Sequence, residues 1–342
     1  MQPDIILPLF GLSPAHFTIS RTGSGYIHAT YKLTGATSYI LQRINKNVFK
    51  QPDVIASNIR EASDYLKRNH PQYLFLSCIQ TTNGKEMAYD DEGFPWRLFP
   101  FIENSITVDE VAHADEAFSA ATEFARLTNY LDGVSLELFN PTINQFHDLN
   151  WRYQQFEHAL KNTTSERMDE AAETVSKCLS YKHLVDQYNK LISSGVLQLR
   201  VTHNDTKINN ILFDSVTRKA ICVIDLDTLM PGYFIYDLGD MIRTFVSPVN
   251  EEEQDLSKVV FRKPIYDALA SAYHEQMDEK LNETEKTLFP FAGMMMTYIM
   301  ALRMLTDFLE GDVYYQITYP KQNLIRARNQ IRLLDVLMDQ SY

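Results

Sequence analysis

The chain has 342 residues, 45% hydrophobic and 12% aromatic, enough for one large domain or two ordinary ones around a sizeable buried core. A formal charge of −12 argues against a nucleic-acid or anionic-membrane partner over most of the surface, so an anionic ligand must be held locally. Three cysteines, Cys78, Cys178 and Cys222, lie far apart without CxxC spacing, which argues against a disulfide framework or thiolate zinc site and favours a reducing, cytoplasmic setting.

The opening "MQPDIILPLF" lacks a secretory pattern, because Pro3, Asp4 and Pro8 interrupt its only apolar run. Residues 17–33 and 38–45 cluster β-branched and aromatic residues around Gly and Thr turns and predict strands. After them, apolar residues at 55, 59, 62 and 66 have the spacing of one helical face. "LFLSCIQ", "GKEMAYD" and "FPWRLFPFI" continue the strand pattern, with "TTNG" (81–84) as a hairpin turn. From about residue 107 helical periodicity takes over, recurring at about 147–160, 166–194 and 260–335. A strand at 196–202 and a hairpin of "NILFD" with "AICVIDLD" interrupt it. The most apolar segment, 288–302, contains Pro290, precedes Arg303 and falls short of the roughly 20 residues a membrane span needs; it predicts a buried helix. These patterns divide the chain into a strand-rich part, 1–102, and a helix-rich part, 103–342.

The chemistry gathers at the interruptions. "VTHNDTKINNILFD" fits H-x-D-x-x-x-x-N with His203, Asp205 and Asn210, and "VIDLD" follows with Asp225 and Asp227. Phosphoryl transfer asks a protein to orient a hydroxyl and to hold divalent metal against phosphate oxygens. Asp205 can accept the hydroxyl proton, Asn210 can offer a neutral oxygen to metal, and Asp225 can bridge metal to phosphate. The plain alternative is a buried Asp capping a turn. Asp227 is either a second ligand or a solvated neighbour.

Further candidates flank this core. Gly23, Ser24 and Gly25 form either an ordinary hairpin turn or a loop whose N–H groups approach phosphate; no GxxxxGK[ST] is present. In "YILQRIN", Arg43 is the cation expected to meet the α/β-phosphates with Glu61 steadying it, although Gln42 competes for the inward position. Asp237 sits in an apolar context and is expected to brace the loop bearing His203 or to cap a helix; Asp240 and Arg243 follow it. Arg303 either pairs with Asp307 one turn on or faces the substrate.

At these residues the chain resembles the aminoglycoside phosphotransferase and choline kinase superfamily. "THNDTKINNILFD", "VIDLDTLMPG", "DLGDMIR" and "LTDFLEGDVYYQITYPKQNLIRARNQ" look more closely like the N-acetylhexosamine 1-kinases. The resemblance implies an α+β, bilobal protein-kinase-like fold with a small antiparallel N-lobe sheet and a larger helical C-lobe. It implies ATP and Mg2+ as cofactors and the anomeric hydroxyl of N-acetylglucosamine or N-acetylgalactosamine as acceptor. By motif, Asp205 is the base, Asn210 and Asp225 are magnesium ligands, Gly23 to Gly25 cover phosphate, and Phe101 lies in the hinge beside adenine. Asp227, Arg243 and Arg303 are substrate candidates; His203 and Asp237 give structural support. The departure is "ILQRIN", which lacks the usual lysine, so Arg43 is expected to serve. The expected partners are a sugar and a nucleotide, with no nucleic acid or membrane. Competing readings are the same fold acting on choline, homoserine, methylthioribose or an aminoglycoside, a metal-dependent hydrolase using His203, Asp205, Asp225 and Asp227, and a nucleotide-binding pseudoenzyme.

Overall fold

A computed structural model describes residues 3–22 and 28–340. The Gly23–Ser24–Gly25 turn lies outside the described residues. In chain order the elements are β1 (Thr18–Arg21), β2 (Ala29–Thr34), β3 (Tyr39–Arg43), α1 (Pro52–Asn69), β4 (Ala88–Tyr89), β5 (Pro95–Pro100), β6 (Ser105–Ile106) and α2 (Ala114–Tyr130). There follow α3 (Leu149–Asn162), α4 (Ser165–Ser180), α5 (Lys182–Ser194), β7 (Leu199–Thr202), β8 (Ile211–Asp214), β9 (Ala220–Val223) and β10 (Met230–Tyr233). The chain ends with α6 (Phe234–Phe245), α7 (Lys263–Met277), α8 (Glu283–Lys286), α9 (Phe289–Leu309) and α10 (Gln322–Met338).

Two compact units form, interleaved along the chain. The first comprises Met1–Ile106, Tyr130–Asn144 and Leu212–Pro231; the second comprises Thr107–Asn129, Gln145–Ile211 and Gly232–Tyr342. This is a bilobal α+β fold: a small antiparallel sheet in one lobe, mostly helices in the other.

The first unit is built on a five-stranded sheet of order β1-β2-β3-β5-β4, with antiparallel pairing along it. Register sets Leu41 opposite Leu98, Gln42 opposite Arg97 and Arg43 opposite Trp96. Since successive side chains alternate faces, Leu41 and Arg43 share one face with Trp96 and Leu98, and Gln42 shares the other with Arg97. Leu41, Trp96 and Leu98 join Leu33 and the N-terminal Ile6, Leu7 and Phe10 in one core cluster. Helix α1 starts at Pro52 with Asp53 in its first turn and Lys67 and Arg68 in its last, and buries Ile55, Ile59, Ala62 and Leu66 as its periodicity predicts. "LFLSCIQ" is not a strand: it contributes a lone bridge, Ile79 to Leu98. β5 already pairs with β3 and β4, which leaves that segment little free ladder. "TTNG" does turn, through Gly84 at φ 77°. A second sheet, β6-β8-β9, completes the unit.

The second unit is organised by α9, against which α10, α6 and α3 pack. Gly239 of α6 and Gly293 of α9 allow the close crossing: a Cβ on Gly239 would sit 2.3 Å from the Ala292 carbonyl oxygen, and one on Gly293 would sit 2.5 Å from Ile242 Cγ2. By length and composition α9 could cross a membrane, but most of it is inside this unit. The expected helix over 166–194 breaks into α4 and α5 at Tyr181, which caps both and donates its hydroxyl to Asp335. The 260–335 stretch resolves into four helices, punctuated by a capping box at Asn282 and Glu285 and by left-handed Gly311, Asp312 and Lys321.

Candidate active site

In the second unit β7 delivers the loop 203–210. His203 is fully buried; its N–H donates to Asp237 Oδ2 at 3.0 Å, and the Asn204 N–H donates to Asp237 Oδ1 at 2.7 Å. Thr206 Oγ1 donates to the Asp237 carbonyl at 2.6 Å. A single buried carboxylate at the start of α6 thus fixes two consecutive peptides. Burial pushes the Asp237 carboxyl up to about 6, against the two N–H donors and His203, which favour the ionised form. The Asp205 N–H donates to His203 Nδ1 at 3.2 Å, and the ring meets Phe124 edge-on at 5.3 Å.

Asp205 is partly exposed, with 27% of its side chain accessible. Asn210 Nδ2 donates to the Asp205 carbonyl at 2.8 Å and to Oδ2 at 3.1 Å. Lys207 Nζ lies 2.9 Å from Asp205 Oδ1, a partner the motif reading did not single out. Burial alone would raise the Asp205 carboxyl, but Lys207, His203 and the Asn210 amide together hold it below the ordinary carboxylate range. With Nδ2 committed, Asn210 presents Oδ1 as the amide atom a cation can use.

Around His147, Asp205, Arg152 and Arg303 are close enough to act electrostatically on the ring. Arg303 stacks over Phe146 and Tyr315, at 5.2 and 5.5 Å. The expected pair with Asp307 does not form, because Asp307 accepts from the Tyr314 and Tyr315 N–H groups and from Asn323. Arg152 donates to the Phe146 carbonyl and to Gln155. Among the described residues neither arginine makes an ion pair. Burial and the neighbouring Arg303 lower the Arg152 guanidinium to about 10. The Tyr315 hydroxyl is buried and has no hydrogen-bond partner among the described residues. Arg243, a substrate candidate by sequence, is 5% exposed; its Nε and one terminal nitrogen bond Asp240, and another faces Glu251 at 3.4 Å. It is a buried residue braced by these two acids.

In the first unit β9 leads into Asp225, which has left-handed backbone, φ 58° and ψ 57°, and an exposed side chain. Asp has a short polar side chain that tolerates this region better than most residues. Asp227 is 2% exposed and fully engaged: Arg97 NH1 donates to Oδ1 in a very short contact, and His28 Nε2 lies 2.7 Å from Oδ2. Arg97 and His28 together hold the Asp227 carboxyl far below its ordinary range despite its burial. Asp227 is therefore not a solvated neighbour. One ligand atom each from His28, Asp225 and Asp227 falls within a 4.8 Å group, but only Asp225 has its side chain exposed.

Arg43 and Glu61 do not meet. Arg43 Nε and NH2 bond Asp90 at 3.2 Å and Glu92 at 2.7 Å, and the guanidinium stacks on Phe94 at 3.6 Å. Glu61 lies 3.6 Å from its neighbour Arg60. The register explains this: Arg43 shares the face of Trp96 and Leu98, while the opposite face carries Gln42, bonded to Thr30 and to Arg97. Arg97 gave the same signal in the sequence as Arg43, a cation within an apolar strand, and was missed because its face depends on pairing. Phe101 is half-buried beneath Lys32 Nζ at 3.6 Å, and its N–H donates to the Ser38 carbonyl.

An α+β bilobal fold with a histidine-aspartate-asparagine loop braced by a buried aspartate is the architecture of a phosphotransferase. The chain belongs to the APH family, the phosphotransferase enzyme family, whose profile matches residues 18–272. Its fold is similar to that of a microcompartment-associated aminopropanol kinase (TM-score 0.63, 14% identity, 98% of this chain and 95% of that one). It is also similar to the amicoumacin kinase hAmiN solved with AMP-PNP, Ca2+ and Ami (TM-score 0.62, 14% identity, 97% and 91% covered). A third likeness is an aminoglycoside phosphotransferase from Alicyclobacillus acidocaldarius (TM-score 0.62, 11% identity, 99% and 96% covered).

Proposed function

We propose that this phosphotransferase is a small-molecule kinase that moves the terminal phosphoryl group of ATP to the anomeric hydroxyl of an N-acetylhexosamine, in the cytoplasm. Asp205 is the base that orients the acceptor hydroxyl and takes its proton. Its carboxyl is held below the ordinary carboxylate range, so it is ionised throughout neutral pH and ready to accept a hydrogen bond. Lys207, paired with it at rest, can turn to the anionic phosphoryl oxygens as charge shifts. Asn210 and Asp225 are the metal ligands; their oxygen donors suit Mg2+, and the amicoumacin kinase, of like fold, was solved with a nucleotide analogue and Ca2+. When bound, the metal neutralises charge on the phosphates. Phe101 is the residue at the adenine hinge, and Gly23, Ser24 and Gly25 are the residues that cover phosphate.

The observation that carries the acceptor class is the arginine pair. Among the described residues, Arg152 and Arg303 have no carboxylate partner, and Arg303 lies beside a buried Tyr315 hydroxyl that makes no hydrogen bond. A cationic acceptor such as choline or an aminoglycoside would meet like charge there, whereas a neutral, oxygen-rich sugar offers acceptors to both guanidinium groups. The test is ADP release with N-acetylglucosamine, N-acetylgalactosamine, N-acetylmannosamine, choline and homoserine, with the phosphorylated position read by NMR. Turnover with an N-acetylhexosamine and phosphate on C1 is expected; turnover confined to choline or homoserine overturns the assignment. Asp205→Asn should lower kcat about 10²- to 10⁴-fold with ATP affinity retained.

A further inference from the structure

The buried charges of the first unit form one chain of contacts. Thr30 Oγ1 accepts from Gln42 Nε2 at 3.2 Å, Gln42 Oε1 accepts from Arg97 Nε at 3.0 Å, and Arg97 NH1 donates to Asp227 Oδ1. On the far side, His28 Nε2 meets Asp227 Oδ2 at 2.7 Å, and His28 Nδ1 accepts the Asn45 N–H at 3.1 Å. A ring nitrogen that accepts from a backbone N–H carries no proton, so Nε2 bears the hydrogen and donates it to Asp227. Both His28 nitrogens are thereby engaged. Despite its place in a group of possible ligand atoms, the imidazole has no lone pair left for a cation.

Asp227 lies two residues after Asp225, inside the short turn Leu226–Thr228 that follows the left-handed residue. We infer that Arg97, within β5, and His28, just before β2, are positioning residues, which clamp Asp227 between them and so hold Asp225 in the backbone conformation that presents its carboxylate. The clamp is supported from helix α1, where fully buried Asn58 donates to the Leu229 carbonyl at 2.9 Å. Left-handed backbone is sparsely populated by any residue with a side chain, so the turn needs outside contacts to keep it. A fully buried Arg–Asp pair is costly to assemble and adds little net stability, and its value lies in fixing one geometry. The inference rests on the reading of Asp225 as a metal ligand.

The probe is Mn2+, followed by electron paramagnetic resonance with and without ADP, on the full chain. His28→Phe, Arg97→Met and Arg97→Lys are compared with Asp225→Asn, and circular dichroism reports folding. Expected are folded His28→Phe and Arg97→Met proteins that bind Mn2+ about 10- to 100-fold more weakly, as loss of an outer partner of a ligand does, with Arg97→Lys intermediate. A residue of merely structural worth would shift the melting temperature and leave Mn2+ affinity alone. If Arg97→Met fails to fold because Asp227 is left buried and unpaired, His28→Phe decides, since His28 is the lesser partner. Wild-type Mn2+ affinity in folded clamp variants, with binding lost in Asp225→Asn, overturns the clamp and leaves the metal reading standing. Wild-type affinity in Asp225→Asn overturns the metal reading and the clamp with it.

Discussion

Asn204, one residue before Asp205, also has left-handed backbone, φ 65°, and His147 Nε2 meets its carbonyl at 2.7 Å. The imidazole is buried, its Nδ1 has no hydrogen-bond partner among the described residues, and burial lowers it to about 3, with Arg303 and Arg152 acting in the same direction. In the unfolded chain the same ring takes a proton near pH 6.5. Between those two values the unfolded state holds more protons, so stability falls as pH drops below about 6.5, by up to about 1.4 kcal/mol per unit on this account. Urea unfolding at stepped pH should show this slope in the native protein and a shallower one in His147→Gln, which keeps an N–H donor for Asn204 but does not titrate. An unchanged slope would mean that His147 is not the group responsible. At this scale much was legible: His203, Asp205, Asn210 and Asp225 stand out because polar residues at fixed spacing interrupt apolar runs. His147, Lys207, Asn58 and Arg97 were not, since each acts through a partner that only folding brings to it.

At the scale of elements, α6 carries Asp237 and α9 backs it. The crossing relies on two residues without side chains. Alanine at Gly239 would drive a methyl into the main chain of α9, which cannot turn aside as a flexible side chain would. Overpacking of this kind costs about 1–3 kcal/mol. Gly239→Ala should lower the melting temperature and, because α6 moves with Asp237, reduce kcat together with stability; a variant that melts as the wild type does would show that the helices can separate at no cost. Gly293→Ala meets a side chain instead, Ile242, and should be milder. Helical periodicity announced that the α4-to-α5 and α7-to-α10 territories were helical but did not mark α6, and the breaks at Tyr181 and around Asn282 came from caps and left-handed residues that periodicity does not register. The strand pattern over "LFLSCIQ" misled for the complementary reason: propensity marks a segment that suits a sheet and says nothing of whether an edge is free.

For the whole molecule, 44 acidic and 32 basic residues create a field that reaches about 10 Å at moderate salt. A neutral acceptor should not sense it. The KM for an N-acetylhexosamine should therefore stay constant between about 0.05 and 0.5 M salt, whereas that of any cationic acceptor should rise with ionic strength. A salt-dependent KM for the sugar would count against its neutrality-based selection. Composition thus spoke to charge and class, and motif spacing to chemistry. That Arg97 and Arg43 lie on opposite faces of the sheet was written only in the pairing of β3 with β5, where Leu41, Gln42 and Arg43 meet Leu98, Arg97 and Trp96. The same enclosure shapes how the protein can be handled in the laboratory. Burial pushes the Cys78 thiol up to about 12 and raises that of Cys178, so these two offer little thiolate at neutral pH, and Cys222 is buried away from an alkylating dye. A fluorophore on one cysteine introduced at an exposed position would report on that position alone, with the native thiols left in place.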